Sequence, residues 1–184
     1  MRIAAVRRLK LEPGHHVLDL GCGTGASFSY LVNAVGSTGR VTGVDLSDEM
    51  AAVARARVAD AGWDNVDIIV SEAAKASLPT QTDGALLFLA HDLVRSPAVL
   101  EHVISVCRPG AHIVAFGPKT AAKWNWPLNV AVRQGTKRYV TTFEGFDKPW
   151  SHLERLLEDF TVQSLALGAV YLSHGQVPAN GPAT

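Results

Sequence analysis

Val17-Leu18-Asp19-Leu20-Gly21-Cys22-Gly23-Thr24-Gly25 packs a buried-strand pattern, an acid and three glycines into nine consecutive positions. Val17 to Leu20 reads as a short parallel strand, all but one of its residues apolar. The glycines permit a tight turn that brings backbone amides up to a ligand, ahead of a helix beginning near Thr24. Such a turn is a nucleotide-cofactor loop, and the fold is read outward from it.

Downstream, Phe28, Leu31, Val32 and Val35 recur at helical spacing, and Gly36 and Gly39 end that helix. Val41 to Val44 is a second strand with Asp45 at its carboxyl end, about 20 residues past the loop, where an acid can bond ribose hydroxyls. Ser47 caps the next helix, whose first turn carries Asp48 and Glu49, the sign its dipole favours. Met50, Val53, Ala54, Val58 and Ala61 are expected to face inward. Val66 to Val70 and Ala85 to Leu89 follow as strands, ending at Ser71-Glu72-Ala73 and Ala90-His91-Asp92. Ser96-Pro97 opens a helix with Leu100, Val103, Ile104 and Cys107 buried, and Arg108-Pro109-Gly110 turns into the strand Ala111 to Phe116. Strands and helices alternate and the strands are nearly all apolar, which predicts an α/β fold, a doubly wound, mostly parallel sheet.

The rhythm changes from Gly117 to Trp150, a stretch too long for an ordinary connection and holding three of the four tryptophans. It reads as an insertion covering the substrate. Ser151-His152-Leu153-Glu154 has the form of a capping box, with Leu153, Leu156, Leu157 and Phe160 at helical spacing behind it. Thr161 to Leu167 and Ala169 to Ser173 form a closing antiparallel hairpin, bringing the sheet to about seven strands. Residues 1–174 are expected to make a single domain and residues 175–184 a flexible tail.

Seventeen basic and seventeen acidic side chains leave no net charge, so a general polyanion binder is not indicated. The charges are unevenly placed: Asp45 to Asp92 holds nine acids, while Lys119 to Arg138 holds five bases and no acid. Two cysteines, Cys22 and Cys107, have neither metal spacing nor a disulfide framework. No apolar run approaches the roughly 18 residues that span a bilayer, and the N-terminus lacks a signal-peptide core. The expectation is a cytoplasmic, non-membrane protein, monomeric or homodimeric, with no bound metal.

Gly21, Gly23 and Ala26 also satisfy a dinucleotide fingerprint with alanine in third place, which keeps NAD as an alternative. Asp19 argues against it: a carboxylate beside a pyrophosphate repels it, but suits a ligand carrying an ammonium and a sulfonium. Val17 to Gly25, together with Gly43-Val44-Asp45-Leu46-Ser47, resembles the class I S-adenosylmethionine-dependent methyltransferases, a Rossmann-like superfamily, over about residues 11 to 117. The resemblance implies S-adenosyl-L-methionine as cofactor. Gly21, Gly23 and Gly25 would let its methionine part lie against the backbone, with Asp19, Cys22 and Thr24 in the same loop. Asp45 would hold both ribose hydroxyls, with Leu46 near the adenine and Met50 beside it. Glu72 and Ala73 would address the adenine amino group, although the family more often has Asp at the Glu72 place. Leu89, Ala90 and His91 would lie by the transferable methyl. Glu72 also reads as a helix cap, and Cys22 as a small turn residue rather than a nucleophile.

Methyl transfer from a sulfonium is an in-line displacement, so positioning supplies much of the rate. His91 is the candidate catalytic base among seven histidines. Trp124, Asn125, Trp126 and Phe146 are candidates for the wall of a pocket for a small-molecule acceptor. Lys119, Lys123, Arg133, Lys137 and Arg138, interleaved with tryptophans, keep RNA or protein methylation as the runner-up. A third reading is a cofactor-binding protein without catalysis, with a partner subunit supplying the lid over the acceptor.

Overall fold

In the computed structural model, residues 1–120 and 146–179 are described. Seven strands form one sheet: β1 (His16–Leu20), β2 (Arg40–Asp45), β3 (Val66–Val70), β4 (Thr82–Phe88), β5 (Cys107–Pro118), β6 (Glu158–Leu165) and β7 (Val170–Gln176). The order is β3-β2-β1-β4-β5-β7-β6. The first five strands run parallel, and β7 lies antiparallel between β5 and β6. This is the mostly parallel sheet with a closing hairpin that the sequence predicts. Because β2 and β3 lie on one side of β1 and the chain then returns to β4 on the other, the winding reverses between β1 and β4. Ligand sites of open α/β sheets form at that crevice, outside the carboxyl ends of the strands.

Helices α1 (Arg2–Arg8), α2 (Phe28–Val35) and α3 (Asp48–Ala61) cover one face, and α4 (His91–Val94), α5 (Pro97–Val106) and α6 (Ser151–Leu156) the other. Strand alternation divides the core between them. Val17, Leu86, Phe88, Val114 and Phe116 pack with α1 and α2, while Leu18, Leu20, Leu87, Ile113 and Ala115 pack with α5 and α6. Helix α1 runs opposite to β4: Leu9 reaches the position of Gly84 near the start of that strand, while the Arg2 guanidinium lies 4.5 Å from the ring centroid of Phe88 at its end.

Several local expectations are corrected. Helix α2 starts at Phe28 rather than near Thr24, because Gly21, Gly23 and Gly25 all have positive φ and keep the chain turning. In α3 the inward stripe is Ala51, Ala54 and Val58; Met50 and Val53 are 43% and 50% exposed. The alanines let the helix sit close to the sheet, and the bulkier residues flank the contact. Cys107 is the first residue of β5, not a helical one, and the Arg108-Pro109-Gly110 irregularity falls within that strand. Ser151 opens no capping box. It is the first helical residue, without a side-chain cap, and Leu157 is already extended, so α6 is short and Phe160 belongs to β6. Residues 175–177 are no flexible tail: Gly175 and Gln176 complete β7, and Val177 is 3% exposed with its N–H donating to Ala111 O at 2.9 Å. Of the insertion, residues 121–145 lie outside the described residues, which removes Trp124, Asn125 and Trp126 from structural view. Its ends meet, because Thr120 N donates to Phe146 O at 2.9 Å.

Candidate functional site

The glycine turn is built by its neighbour strand. Gly21 N and Cys22 N both donate to Val44 O, at 2.8 and 3.1 Å, fastening the end of β1 to the end of β2. Asp45 then clamps the loop: Oδ2 accepts from Gly23 N at 2.7 Å, and Oδ1 accepts from Ser47 N at 3.0 Å. One carboxylate thereby fixes both the loop and the start of α3, whose cap, Ser47 Oγ, accepts from Met50 N. The loop is held from α3 as well, where Arg57 Nε donates to Thr24 O at 2.9 Å.

A cavity of about 580 Å³ opens at the carboxyl ends of β1 to β4. Of the sequence-predicted residues, Gly21, Asp45, Leu46, Glu72, Ala73, Leu89, Ala90 and His91 line it together. Sequence reasoning missed Ser71, Ala74, Asp92, Leu93, Ser96 and Val99 on its wall. The signal for the α4 and α5 residues was present in their position after the end of β4, but the four-residue α4 is too short to show a periodicity.

The other predicted residues are placed around the cavity rather than on its wall. Cys22 turns its Sγ into the core toward Gly43, and burial, aided by the nearby Asp19 and Asp45 charges, pushes its thiol well up, so it is no nucleophile. Gly23 and Thr24 serve the loop's hydrogen bonds, and Gly25 packs on Phe28. Met50 stands exposed on α3. Glu72 caps no helix: it lies in a turn, its Oε2 2.5 Å from Lys75 Nζ, with most of the pair in solvent.

Two buried polar groups stand out. Asp19 is 1% exposed, and among the described residues its Oδ2 has no hydrogen-bond partner. Burial pushes its carboxyl up to about 7, against the pull of the Arg2 charge and with a push from Asp45. His91 is 2% exposed, and among the described residues neither ring nitrogen has a hydrogen-bond partner. Burial lowers its pKa, the Arg95 charge adds to this and Asp92 opposes it, so the imidazole is neutral at pH 7. The Phe146 ring lies 4.8 Å from it, tilted by 52°. Leu89, just before them, has φ +62°, with its N–H bonded to Phe116 O, a strained backbone at the lip of the cavity. Among the described residues no group of three or more His, Cys, Asp or Glu side chains is placed to hold a metal, and no helix is long and apolar enough to cross a membrane.

A parallel sheet of this order with an antiparallel seventh strand, a glycine turn on β1 and an acid clamping it from β2 defines the fold of a class I methyltransferase. Comparison with known proteins agrees: residues 17–110 match the family model of a methyltransferase domain. Demethylmenaquinone methyltransferase of Symbiobacterium thermophilum is 29% identical over 171 residues, 84% of this chain and 66% of that protein. Among solved structures, a SAM-dependent methyltransferase from Aquifex aeolicus superposes with a TM-score of 0.67 at 22% identity, covering 96% of this chain and 89% of the other. Geranyl diphosphate C-methyltransferase from Streptomyces coelicolor A3(2), in complex with Mg2+, geranyl-S-thiolodiphosphate and S-adenosyl-L-homocysteine, gives 0.73 at 14% identity, covering 96% and 74%. The chain spans about two thirds or less of the length of the curated relatives it matches. The chain belongs to the class I S-adenosylmethionine-dependent methyltransferases.

Proposed function

We propose that the protein transfers a methyl group from S-adenosyl-L-methionine to a small-molecule acceptor, using His91 as the base. The observation that carries this reading is a pair of buried groups without a hydrogen-bond partner among the described residues, His91 on the cavity wall and Asp19 two residues before Gly21, which lines the same cavity. A buried carboxylate without a partner costs stability unless a ligand answers it. The cofactor fits that demand, since its methionine end carries positive charge. Asp45, which binds the loop through one hydrogen bond per oxygen, keeps lone pairs for ribose hydroxyls. Leu46, Glu72 and Ala73 border the space for the base.

When bound, the cofactor supplies a methyl group already activated on a sulfonium. The chain's part is to hold the acceptor's nucleophile in line with that methyl and to remove the proton the acceptor loses as the new bond forms. His91 suits the second task, being neutral, buried and free to accept at a ring nitrogen. Phe146, buried beside it, packs on the imidazole and helps fix the ring's orientation. The relatives' names, demethylmenaquinone methyltransferase and geranyl diphosphate C-methyltransferase, support an apolar acceptor methylated at carbon.

The test is transfer of labelled methyl to a panel of hydroquinones, phenols and prenyl compounds, run beside RNA and protein substrates. Turnover on the small molecules, lowered about 100-fold or more by His91→Asn at saturating acceptor, is expected. Unchanged turnover in that variant removes His91 as base; labelling confined to RNA replaces the acceptor class. Tight cofactor binding with no product from any panel member supports a non-catalytic role instead.

A further inference from the structure

On the side of the sheet covered by α1 and α2, those two helices leave a second hollow between them, with a volume of about 390 Å³. None of its wall residues lines the crevice. Ile3, Arg7 and Lys10 recur at i, i+4 and i+7, so they share the edge of α1 and of the turn after it that borders the hollow. Tyr30 and Asn33, at i and i+3 on α2, border it from the other side, and Val6 adds apolar surface between them. Ile3 is 50% and Tyr30 38% exposed, so the apolar wall is open to water rather than closed into the core.

The charge around this hollow has one sign. Arg7 and Lys10 both line it, no acid does among the described residues, and neither α1 nor α2 contains one. The other two cations of this region are turned elsewhere: Arg2 lies over Phe88, and Arg8 donates to Gln163 Oε1 at 2.6 Å. Arg7 and Lys10 form no ion pair among the described residues. Lys10 does face His112 and His174, but burial first, and the positive charge around them second, holds both imidazoles neutral at pH 7, so they do not answer it. Lys10 also ends α1 with φ +47°, a left-handed conformation that glycine takes without strain. The backbone bears that strain and gains a cation at the rim. Two like charges side by side on a chain with no net charge, next to open apolar surface, call for an anion with an apolar body. A hollow of this size, mostly apolar with a few polar groups at its edge, also fits a small molecule. We propose that the α1–α2 hollow binds an organic anion, a small molecule with an apolar body and a carboxylate, sulfonate or phosphate group. The body lies against Ile3, Val6 and Tyr30, and the acid group meets Arg7 and Lys10, with the Asn33 amide as a further donor.

The site is independent of the crevice, and its test uses two fluorescent probes on the full chain. Anilinonaphthalene sulfonate carries the apolar body and the anion; phenylnaphthylamine has the same rings without the charge. Wild type is expected to bind the sulfonate saturably, at least about fivefold more tightly than the neutral amine, with the preference shrinking as salt is added. Arg7→Gln combined with Lys10→Gln, both at exposed side chains, is expected to abolish the preference and leave the amine unchanged. Arg7→Lys combined with Lys10→Arg keeps both charges and is expected to keep the preference. Tyr30→Ala is expected to weaken both probes. Equal affinity of wild type for the two probes overturns the proposal, as does a preference that persists in the Arg7→Gln, Lys10→Gln variant or a Tyr30→Ala variant that binds both as before. Sedimentation with phosphatidylglycerol vesicles through the same two cations, without saturable binding of the soluble sulfonate, assigns this face to a membrane surface and overturns the small-molecule site.

Discussion

Burial holds the Asp19 carboxyl near neutrality, at about 7, where an exposed aspartate sits near 3.8. The groups facing it are Arg2 from α1, which favours the charged form, and Asp45 from β2, which disfavours it. The folded chain therefore holds a proton there that the unfolded chain has released between pH 4 and 7. Linkage gives the sign: the stability that Asp19 contributes is full below about 3.8 and is lost as pH rises to about 7, a fall on the order of a few kcal/mol. A cationic ligand at Asp19 has the opposite preference, so cofactor affinity should rise across the same window. Melting curves from pH 5 to 8 check the first part, with Asp19→Asn flattening the profile, and calorimetry the second. Asp45 acts differently, as a clamp. Asp45→Ala leaves Gly23 N and Ser47 N without their acceptor, and is expected to lower stability by roughly 2 kcal/mol, about 4–8 degrees in melting temperature. It should weaken cofactor binding at least about tenfold in calorimetry; an unchanged affinity would show that the cofactor does not use this carboxylate.

At the scale of elements, the sheet and the glycine turn were legible because both rest on local chemistry. Apolar runs of strand length, glycines at a fixed offset and an acid one strand away all appear in the primary sequence. What escaped is what tertiary packing decides. The inward face of α3 went to Ala51 and Ala54 rather than to Met50, because closeness to the sheet outweighed side-chain size. Arg2 reached the Phe88 ring at the end of β4 only through the direction of α1 across that strand, which no spacing announces. Gly43 shows the same limit from the other side. It reads as an ordinary strand residue beside Asp45, yet a Cβ there would lie 2.6 Å from Phe28 Cζ and 2.9 Å from Cys22 Sγ. The ring of α2 fills the space a side chain would take, and so holds the turn against β2. Gly43→Ala is accordingly expected to cost about 1–3 kcal/mol through overpacking, a drop of about 2–12 degrees. Phe28→Leu in the same chain should recover part of the loss. Full stability in the single variant would mean that α2 is not seated on β2 as described.

On the whole molecule, the carboxyl ends of four strands open on one crevice, so a ligand bound there ties together the ends of β1, β2, β3 and β4 with α4 and α5. Binding to the folded chain alone raises stability by about 2.7 kcal/mol at a ligand concentration of 100 times Kd. For a chain of this size that is a rise of about 5–10 degrees in melting temperature. The crevice also chooses between nucleotides. Asp45 and Glu72 border it, Asp19 lies behind its glycine turn, and no lysine or arginine lines it among the described residues. A dinucleotide would bring a pyrophosphate against these carboxylates, whereas S-adenosyl-L-methionine brings positive charge. Thermal melts with S-adenosyl-L-methionine are expected to show the full rise, and melts with NADH at the same concentration no rise. The difference should shrink as salt is added only to the extent that the carboxylates are exposed, so a preference that survives 1 M salt places the deciding charge at buried Asp19. A rise with NADH equal to that with S-adenosyl-L-methionine would instead show that the glycine turn, and not the charge around it, selects the ligand.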